Sequence, residues 1–270
     1  MPSVVAEVLR LADDPDSDIA RISEIIQADP AMTAKILRVS NSPYYGMKQY
    51  VGTLKLAMVI LGVREVRNIV LGITVFEVLR DPKTDAGIVR DIWDSSLKLA
   101  AVAKNLGTRM GLGLQGEEFI TGLLSDMGKM VLLRTLGTVY ASVLKDSGNS
   151  VEQLCSREME EVGCTHADLA MALAVRWNLP QMLSDALWCQ YPGAGMALRD
   201  CSDPGLAAVI RVSKAALAED FDSGEPLMCL QDAEAWDVLG KSRNPVPHES
   251  RRDVLYELIE SLKDMPKLPL

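Results

Sequence analysis

The sequence predicts an all-α fold, and three observations support that prediction. Apolar residues recur at helical spacing along almost the whole chain, and no alternating segment is long enough to indicate a strand. Aromatic residues make up only 5% of the 270 residues while 13 are Met, which suits helix packing better than sheet packing. Helix-start signals such as Asp29-Pro30 and Asp203-Pro204 precede apolar segments.

Composition and charge exclude several classes of function. The chain is 48% hydrophobic and 24% charged, as is usual for a soluble globular protein. Its net charge of −9 argues against a nucleic-acid partner, because phosphate binding requires basic residues. The five cysteines form no CxxC pair, which indicates reduced thiols. No apolar run could span a membrane and the N-terminus lacks a basic signal region, so we expect a cytoplasmic protein without a membrane partner.

The chain divides into a predicted N-terminal helical bundle, residues 1–85, and a helical subdomain with C-terminal helices, residues 86–270. The boundary lies in DPKTDAG, a cluster of Pro, Gly and Asp between two apolar stretches. A capping-box spacing from Thr165 to Asp168 predicts a helix start at that point. The periodicity predicts helices at about 4–11, 18–27, 30–40, 54–61, 63–80, 88–109, 117–136, 138–147, 151–161, 166–177, 181–191, 231–239 and 249–264, and one that begins at Asp203-Pro204.

The stretch NSPYYG after the third predicted helix has two interpretations. In the structural one, Asn41 ends the helix, Pro43 prevents its continuation and Gly46 permits the turn. In the functional one it is a recognition loop, because tyrosines are favoured at interfaces. The candidate interaction residues are Asn41, Ser42, Tyr44, Tyr45 and Gly46.

The predicted helix over 117–136 carries a candidate polar site. Its apolar stripe leaves Ser125, Asp126 and Lys129 on another face. One interpretation is a solvated face with an Asp126–Lys129 ion pair at i,i+3 spacing. The other is that Asp126 points into a polar pocket between helices. Helical spacing alone favours the first.

The number of histidines argues against a catalytic metal. Such a site in a helical bundle takes about three or four ligands, mostly His and carboxylate. The chain has two histidines, His166 at a helix start and His248 in a proline-flanked loop. The helix dipole disfavours an imidazolium at His166, so we expect it to be neutral and hydrogen-bonded. A carboxylate-only Mg²⁺ site stays open, but we expect no cofactor, no metal ligand and no catalytic residue.

Several motifs together resemble one known family, the HDOD domains, which are signalling domains related to the HD phosphohydrolases. The resemblance covers roughly residues 4–220 and implies a helical N-terminal bundle, an HD-like helical domain and a regulatory role. The motifs that carry it are DPAMTAKILRVSNSPYYG, the LG of VILGVREVRNIVL, IWDSSLKLA, GLLSDMGKMVLL and HADLAMALAVRWNLP.

The resemblance also implies where the HD metal site would lie in this chain. The first HD histidine corresponds to Ser95, the His-Asp pair to Ser125-Asp126, and a later histidine to His166. A further position, often His in relatives, falls near Cys189-Gln190. Asp126 and His166 alone keep ligand chemistry, so the site is expected to be degenerate, with room for a small ligand such as a nucleotide left open.

Three functions follow as hypotheses. The first is a non-catalytic signal-transduction scaffold that contacts other signalling proteins in trans, through NSPYYG or the region near DPKTDAG. The second is a residual metal-dependent phosphohydrolase that acts on a nucleotide through Asp126 and a divalent metal. The third is a nucleotide-binding effector without catalysis. The sequence favours the first, because two histidines cannot rebuild the metal site.

Overall fold

The computed structural model describes residues 26–27, 29–41, 50–148, 150–223 and 226–263. All regular elements within these ranges are helices, which confirms the all-α prediction. The predicted helix over 4–11 lies outside the described residues, as does most of the one over 18–27.

The described helices follow one another with short connections. We number them along the chain as α1 Pro30–Ser40, α2 Leu54–Leu61, α3 Val63–Leu79, α4 Ala86–Arg109, α5 Glu117–Leu124, α6 Met127–Leu136, α7 Thr138–Ser147, α8 Val151–Glu161, α9 His166–Arg176, α10 Gln181–Trp188, α11 Pro204–Leu217, α12 Met228–Gln231, α13 Ala233–Leu239 and α14 Arg251–Glu260. Short 3-10 turns cover Leu198–Asp200 and His248–Ser250. None of the helices described is both long and apolar enough to cross a membrane.

The chain groups into two compact units, and the first ends at Val78. Within it, Asn41 ends α1 and its side chain bonds to the backbone of Leu37 and Val51. Its amide nitrogen donates to the carbonyl oxygens of Leu37 and Val51 at 2.7 and 2.8 Å, and its oxygen accepts the Val51 N–H at 2.7 Å. Asn41 therefore has a structural role. The other candidate loop residues, Ser42, Tyr44, Tyr45 and Gly46, lie outside the described residues, so their role in recognition stays a prediction.

The second unit, Leu79–Lys263, contains the candidate site. The long helix α4 packs closely on α5, where a Cβ added to Gly122 would lie 2.6 Å from the Ala100 Cα. Helix α11 packs against α4, α10 and α13. Most α11 side chains are buried, so any charged residue there must find its partner inside the unit.

The single helix predicted over 117–136 is wrong, because two helices meet at Ser125 and Asp126. Asp126 leaves helical geometry, with φ −98° and ψ 11°, and occupies the N-cap position of α6 without a capping hydrogen bond from its side chain. The apolar stripe continues through this break, which is why the spacing did not reveal it. The short helix predicted near 231–239 is observed as α13, Ala233–Leu239, with Asp232 as its N-cap, and a separate short helix, α12, precedes it.

Candidate functional site

Four segments bring the polar side chains of the site together. Asp126 stands at the start of α6, His166 at the start of α9, Gln190 and Tyr191 just after α10, and Lys214 near the end of α11. Helices α6 and α9 approach unusually closely, because a Cβ on Gly128 would lie 1.9 Å from the His166 carbonyl oxygen. Only glycine permits this approach, and it holds Asp126 near the His166 helix.

Asp126 is buried and pairs with two lysines. Its Oδ1 lies 2.7 Å from the Lys214 Nζ and 3.1 Å from the Lys129 Nζ. Burial opposes ionisation of Asp126, but the charges of Lys129 and Lys214 outweigh it and hold the carboxyl pKa well below its usual range. The solvated-face interpretation of Asp126 is therefore wrong, although its i,i+3 pair with Lys129 is present. Local spacing does not indicate that Lys214, 88 residues further along the chain, reaches Asp126.

Lys214 is held by oxygens from two sides. Its Nζ donates to the Gln190 Oε1 at 2.5 Å as well as to Asp126, and it lies 5.0 Å from the centre of the Tyr191 ring. The Gln190 amide nitrogen donates to the carbonyl oxygens of Ser125 and Leu187, which fixes the amide oxygen toward the lysine. Burial lowers the pKa of Lys214 to about 8, against the opposing charge of Asp126.

His166 is the centre of a second, adjoining network. Its Nδ1 lies 2.8 Å from the Glu158 Oε2, and the same carboxylate accepts the His166 N–H at 2.9 Å and the Tyr140 hydroxyl at 2.5 Å. Burial lowers the pKa of His166, so the imidazole is neutral, as the helix-start argument predicted. A carboxylate only accepts, so Nδ1 carries the proton and Nε2 accepts from the Tyr191 hydroxyl.

The structure brings some of the predicted site residues together and leaves others apart. Asp126, His166 and Gln190 join one connected cluster. Ser125 is buried beside Asp126, and its hydroxyl finds no hydrogen-bond partner among the described residues. The Cys189 thiol turns toward the Met196 carbonyl and lies 3.5 Å from the Cys201 thiol. Ser95 is exposed on α4 instead of buried with the cluster.

One further group among the described residues has metal-ligand chemistry. The Cys155 sulfur, a Glu158 oxygen and a His166 nitrogen lie within 4.8 Å of one another. Burial and the charge of Glu158 raise the pKa of Cys155 to about 11, so the thiol stays protonated. The Glu158 carboxylate already accepts three hydrogen bonds, two from His166 and one from Tyr140. Glu158 and His166 therefore belong to a hydrogen-bond network with Tyr140, and Cys155 lies beside it as a protonated thiol.

The divalent metal of the HD phosphohydrolases does not fit the residues of this chain. Of the positions that the resemblance assigns to ligands, Asp126 and His166 alone have suitable side chains. Two ammonium groups contact Asp126, and both ring nitrogens of His166 are engaged. A dication would have to displace Lys214 and break the bond between His166 and Tyr191. The fold is retained while the donor set for a metal is not.

Sequence reasoning missed Lys214, Glu158, Tyr140 and Tyr191 as members of the site. Lys214 had a detectable signal, since it is a charged residue inside the apolar run VIRVSKAAL of a helix that the sequence places in the core. Glu158 lies in the charged segment REMEE, where a single buried carboxylate has no distinguishing pattern. Long-range partners of this kind follow from the packing of α8, α9 and α11.

These observations define the class as an all-α protein with an HD-like helical domain. The chain belongs to the HDOD domain family, whose model matches residues 1–192. That family is related to the HD metal-dependent phosphohydrolases.

Solved structures share the fold over almost the full chain. An HDOD domain protein of unknown function from Geobacter sulfurreducens has a TM-score of 0.69 at 19% identity, covering 97% of this chain and 92% of its own. A protein from Shewanella amazonensis SB2B, whose name proposes phosphohydrolase activity, has a TM-score of 0.70 at 22% identity, covering 97% and 94%. These likenesses show the fold alone.

One relative matches over a smaller part of this chain than the solved structures do. An uncharacterised protein from Treponema pallidum (strain Nichols) is 25% identical over 184 residues, which are 67% of this chain and 35% of the relative. The chain thus matches about a third of the length of that relative.

Proposed function

We propose that this chain is a non-catalytic regulatory module of the HDOD family that acts through contacts with other signalling proteins. The single observation that carries the proposal is the state of the two retained ligand side chains. Asp126 is paired with Lys214 and Lys129, and His166 is bonded to Glu158 and Tyr191. Both are engaged inside the protein, which favours a structural use of the former metal site over hydrolysis.

Two further features support the proposal. The five cysteines are free thiols, which agrees with the reducing cytoplasm that we propose as the location. The polar cluster also balances its own charge, since Asp126 and Glu158 face Lys129 and Lys214 around a neutral His166. A core of this kind stabilises one arrangement of helices and leaves the outer surface for partners.

The first experiment separates a regulatory module from a residual phosphohydrolase. The purified protein is analysed for Mn, Fe, Co, Ni and Zn, and assayed on nucleoside triphosphates and cyclic dinucleotides with each ion added. We expect clearly substoichiometric metal and no turnover. Turnover that disappears in Asp126→Asn and persists in Asp146→Asn would overturn the proposal, because Asp146 is an exposed carboxylate of the same unit, paired with Arg157.

The second experiment addresses the partner. Proteins captured from native cytosol by the wild-type chain are compared with those captured by a Tyr44→Ala, Tyr45→Ala double variant. We expect a defined signalling protein to be lost from the double variant while its melting temperature stays within about 2 °C of the wild type. A melting temperature that rises in a concentration-dependent way with a nucleotide would instead favour a nucleotide-binding effector.

A further inference from the structure

Helix α11 places the ammonium group of Lys214 in the interior of the second unit. The residues beside Lys214 on this helix include Val212 and Ser213, both buried, and the lysine side chain itself is only 10% exposed. Lysine ammonium groups are strongly hydrated and normally stay at the surface. A lysine retained here must therefore be compensated by the groups that it contacts.

Those groups form a cradle of oxygens suited to a cation. A carboxylate oxygen of Asp126 lies at 2.7 Å, the amide oxygen of Gln190 at 2.5 Å, and the face of Tyr191 at 5.0 Å. Carboxylate and amide oxygens are the donors that hard metal cations prefer. In this chain they surround an ammonium group that is part of the protein.

We infer that Lys214 is the resident cation of the degenerate site and takes the electrostatic place of the divalent ion held by related HD enzymes. This inference deepens the proposed function and rests on it. Two consequences follow. The site needs a positive charge between Asp126 and Gln190, and an added ion cannot enter while the lysine is present. Removal of the ammonium group should make the stability of the protein depend on added cations.

Lys129 provides a matched control on the same carboxylate. Its Nζ lies 3.1 Å from the Asp126 Oδ1 that Lys214 also contacts. It reaches Asp126 from the following turn of the chain, as an i,i+3 neighbour, and is the more exposed of the two lysines. Loss of Lys129 thus removes one charge near Asp126 but leaves the cradle between Asp126 and Gln190 filled.

The experiment compares thermal unfolding of the wild type, Lys214→Ala and Lys129→Ala in EDTA and in 1 mM Mn²⁺. In EDTA we expect Lys214→Ala to melt about 5–10 °C below the wild type, because a buried carboxylate loses the nearer of its two lysine partners. Mn²⁺ should raise the melting temperature of this variant by about 2–3 °C, as for an ion held by two protein oxygens with a Kd of roughly 0.2 mM. The wild type and Lys129→Ala should shift by less than about 1 °C.

Two outcomes would overturn the inference. One is a folded Lys214→Ala variant that Mn²⁺ does not stabilise, and the other is equal stabilisation of the wild type. The gain should also vanish in Asp126→Asn, Lys214→Ala, since the added ion then lacks its carboxylate. Failure in this experiment leaves the proposed function intact, whereas metal-dependent turnover by the wild type contradicts the proposed function directly.

A measurement on the unmodified chain decides the matter if Lys214→Ala does not fold. Native protein is treated with formaldehyde and a borohydride reductant, which methylate accessible amines, and each lysine is then quantified by mass spectrometry. Lys241, whose side chain is 73% exposed, serves as the internal reference. Protection of Lys214 by at least tenfold relative to Lys241 supports the inference, and methylation at the same rate overturns it.

Discussion

Helix α11 carries two buried cations one turn apart, Arg211 and Lys214, and they are compensated in different ways. Arg211 donates from Nε to the Cys189 carbonyl and from Nη1 to the Glu234 carboxylate, both at 2.8 Å. The Glu234 side chain is 43% exposed, whereas the Asp126 side chain that pairs with Lys214 is 3% exposed. Arg211 thus has one carboxylate partner in contact with water and a second, buried one, Asp232, at 3.8 Å. The carboxylate partner closest to Lys214 is enclosed by the protein.

Arg211 and Lys214 therefore have different roles: Arg211 connects two elements, and Lys214 neutralises a buried carboxylate. Arg211 uses its planar fork to join the end of α10 to the start of α13, a task that needs geometry more than charge. Lys214 neutralises a carboxylate that the fold keeps buried, at a position that the resemblance assigns to a metal ligand. If Glu234 is lost, Arg211 keeps Asp232 at 3.8 Å and water can reach the vacated position. Solvent does not reach Asp126 in the same way, so the Asp126–Lys214 pair should be more sensitive to loss of one member.

The largest expected effect comes from removing each carboxylate in turn. Asp126→Ala leaves Lys214 without its buried partner and should lower the free energy of unfolding by about 3 kcal/mol. The loss stays at the lower end of the range for buried pairs because burial already lowers the pKa of Lys214 to about 8, which limits the cost of releasing its proton. Glu234→Ala should cost about 1 kcal/mol or less, since water solvates that site.

Urea unfolding at pH 7, followed by circular dichroism, measures both values. Equal losses for Asp126→Ala and Glu234→Ala would contradict this expectation, because the two ion pairs would then contribute equally to stability. Asp126→Asn, which keeps the shape of the side chain, shows how much of the loss is due to charge.

A steric change can displace the Asp126 region without altering any charge. Gly128→Ala places a Cβ 1.9 Å from the His166 carbonyl oxygen, so α6 and α9 must separate. We expect a loss of about 2–3 kcal/mol, although alanine is the better helix former by about 1 kcal/mol. Gly107→Ala is the matched control on α4, where the nearest atom lies 3.7 Å from the new Cβ. It should be neutral or stabilising by up to about 1 kcal/mol.

The same denaturant titration tests the pair of glycine variants. A stable Gly128→Ala protein would mean that the site does not depend on the close approach of α6 to α9. Equal destabilisation of both variants would also contradict the prediction, because the distances give Gly107 room for a Cβ and give Gly128 none.

Much of the fold follows from sequence, because local signals determine where most helices begin. The Asp29 and Asp203 caps and the Thr165–Asp168 capping box all stand at observed helix starts. The break at Ser125–Asp126 could not be predicted in this way. It depends on the contact of Gly128 with α9, which joins parts of the chain almost 40 residues apart.

The site is less predictable than the fold for a related reason. The count of two histidines argues against a rebuilt metal site, and the resemblance selected Asp126 and His166. Their partners, Lys214, Glu158 and Tyr191, come from helices or helix ends that carry no local motif. Ser95, which the resemblance assigns to the same site, is exposed on α4.

The smallest expected effect is a pH dependence of the free energy of unfolding, which arises in the cluster around Lys214. Charge balance there requires a neutral His166, because a protonated ring would place three cations against two carboxylates. Burial keeps the pKa of His166 below its ordinary value of 6.5. As the pH falls through 6.5, the unfolded chain takes up a proton at this residue while the folded chain does not. The unfolded state therefore binds more protons, and stability falls toward acid pH.

From pH 7.5 to pH 5.0 the free energy of unfolding should drop by up to about 2 kcal/mol through His166. The lowered pKa values of Glu158 and Asp126 matter only below their ordinary values of 4.5 and 3.8, outside this window. Replacing His166 by Gln should flatten the profile, whereas replacing the exposed His248 by Gln should leave the wild-type slope. An unchanged slope in His166→Gln would mean that the histidine is protonated in the folded protein, and the cluster around Lys214 would then carry an unbalanced positive charge.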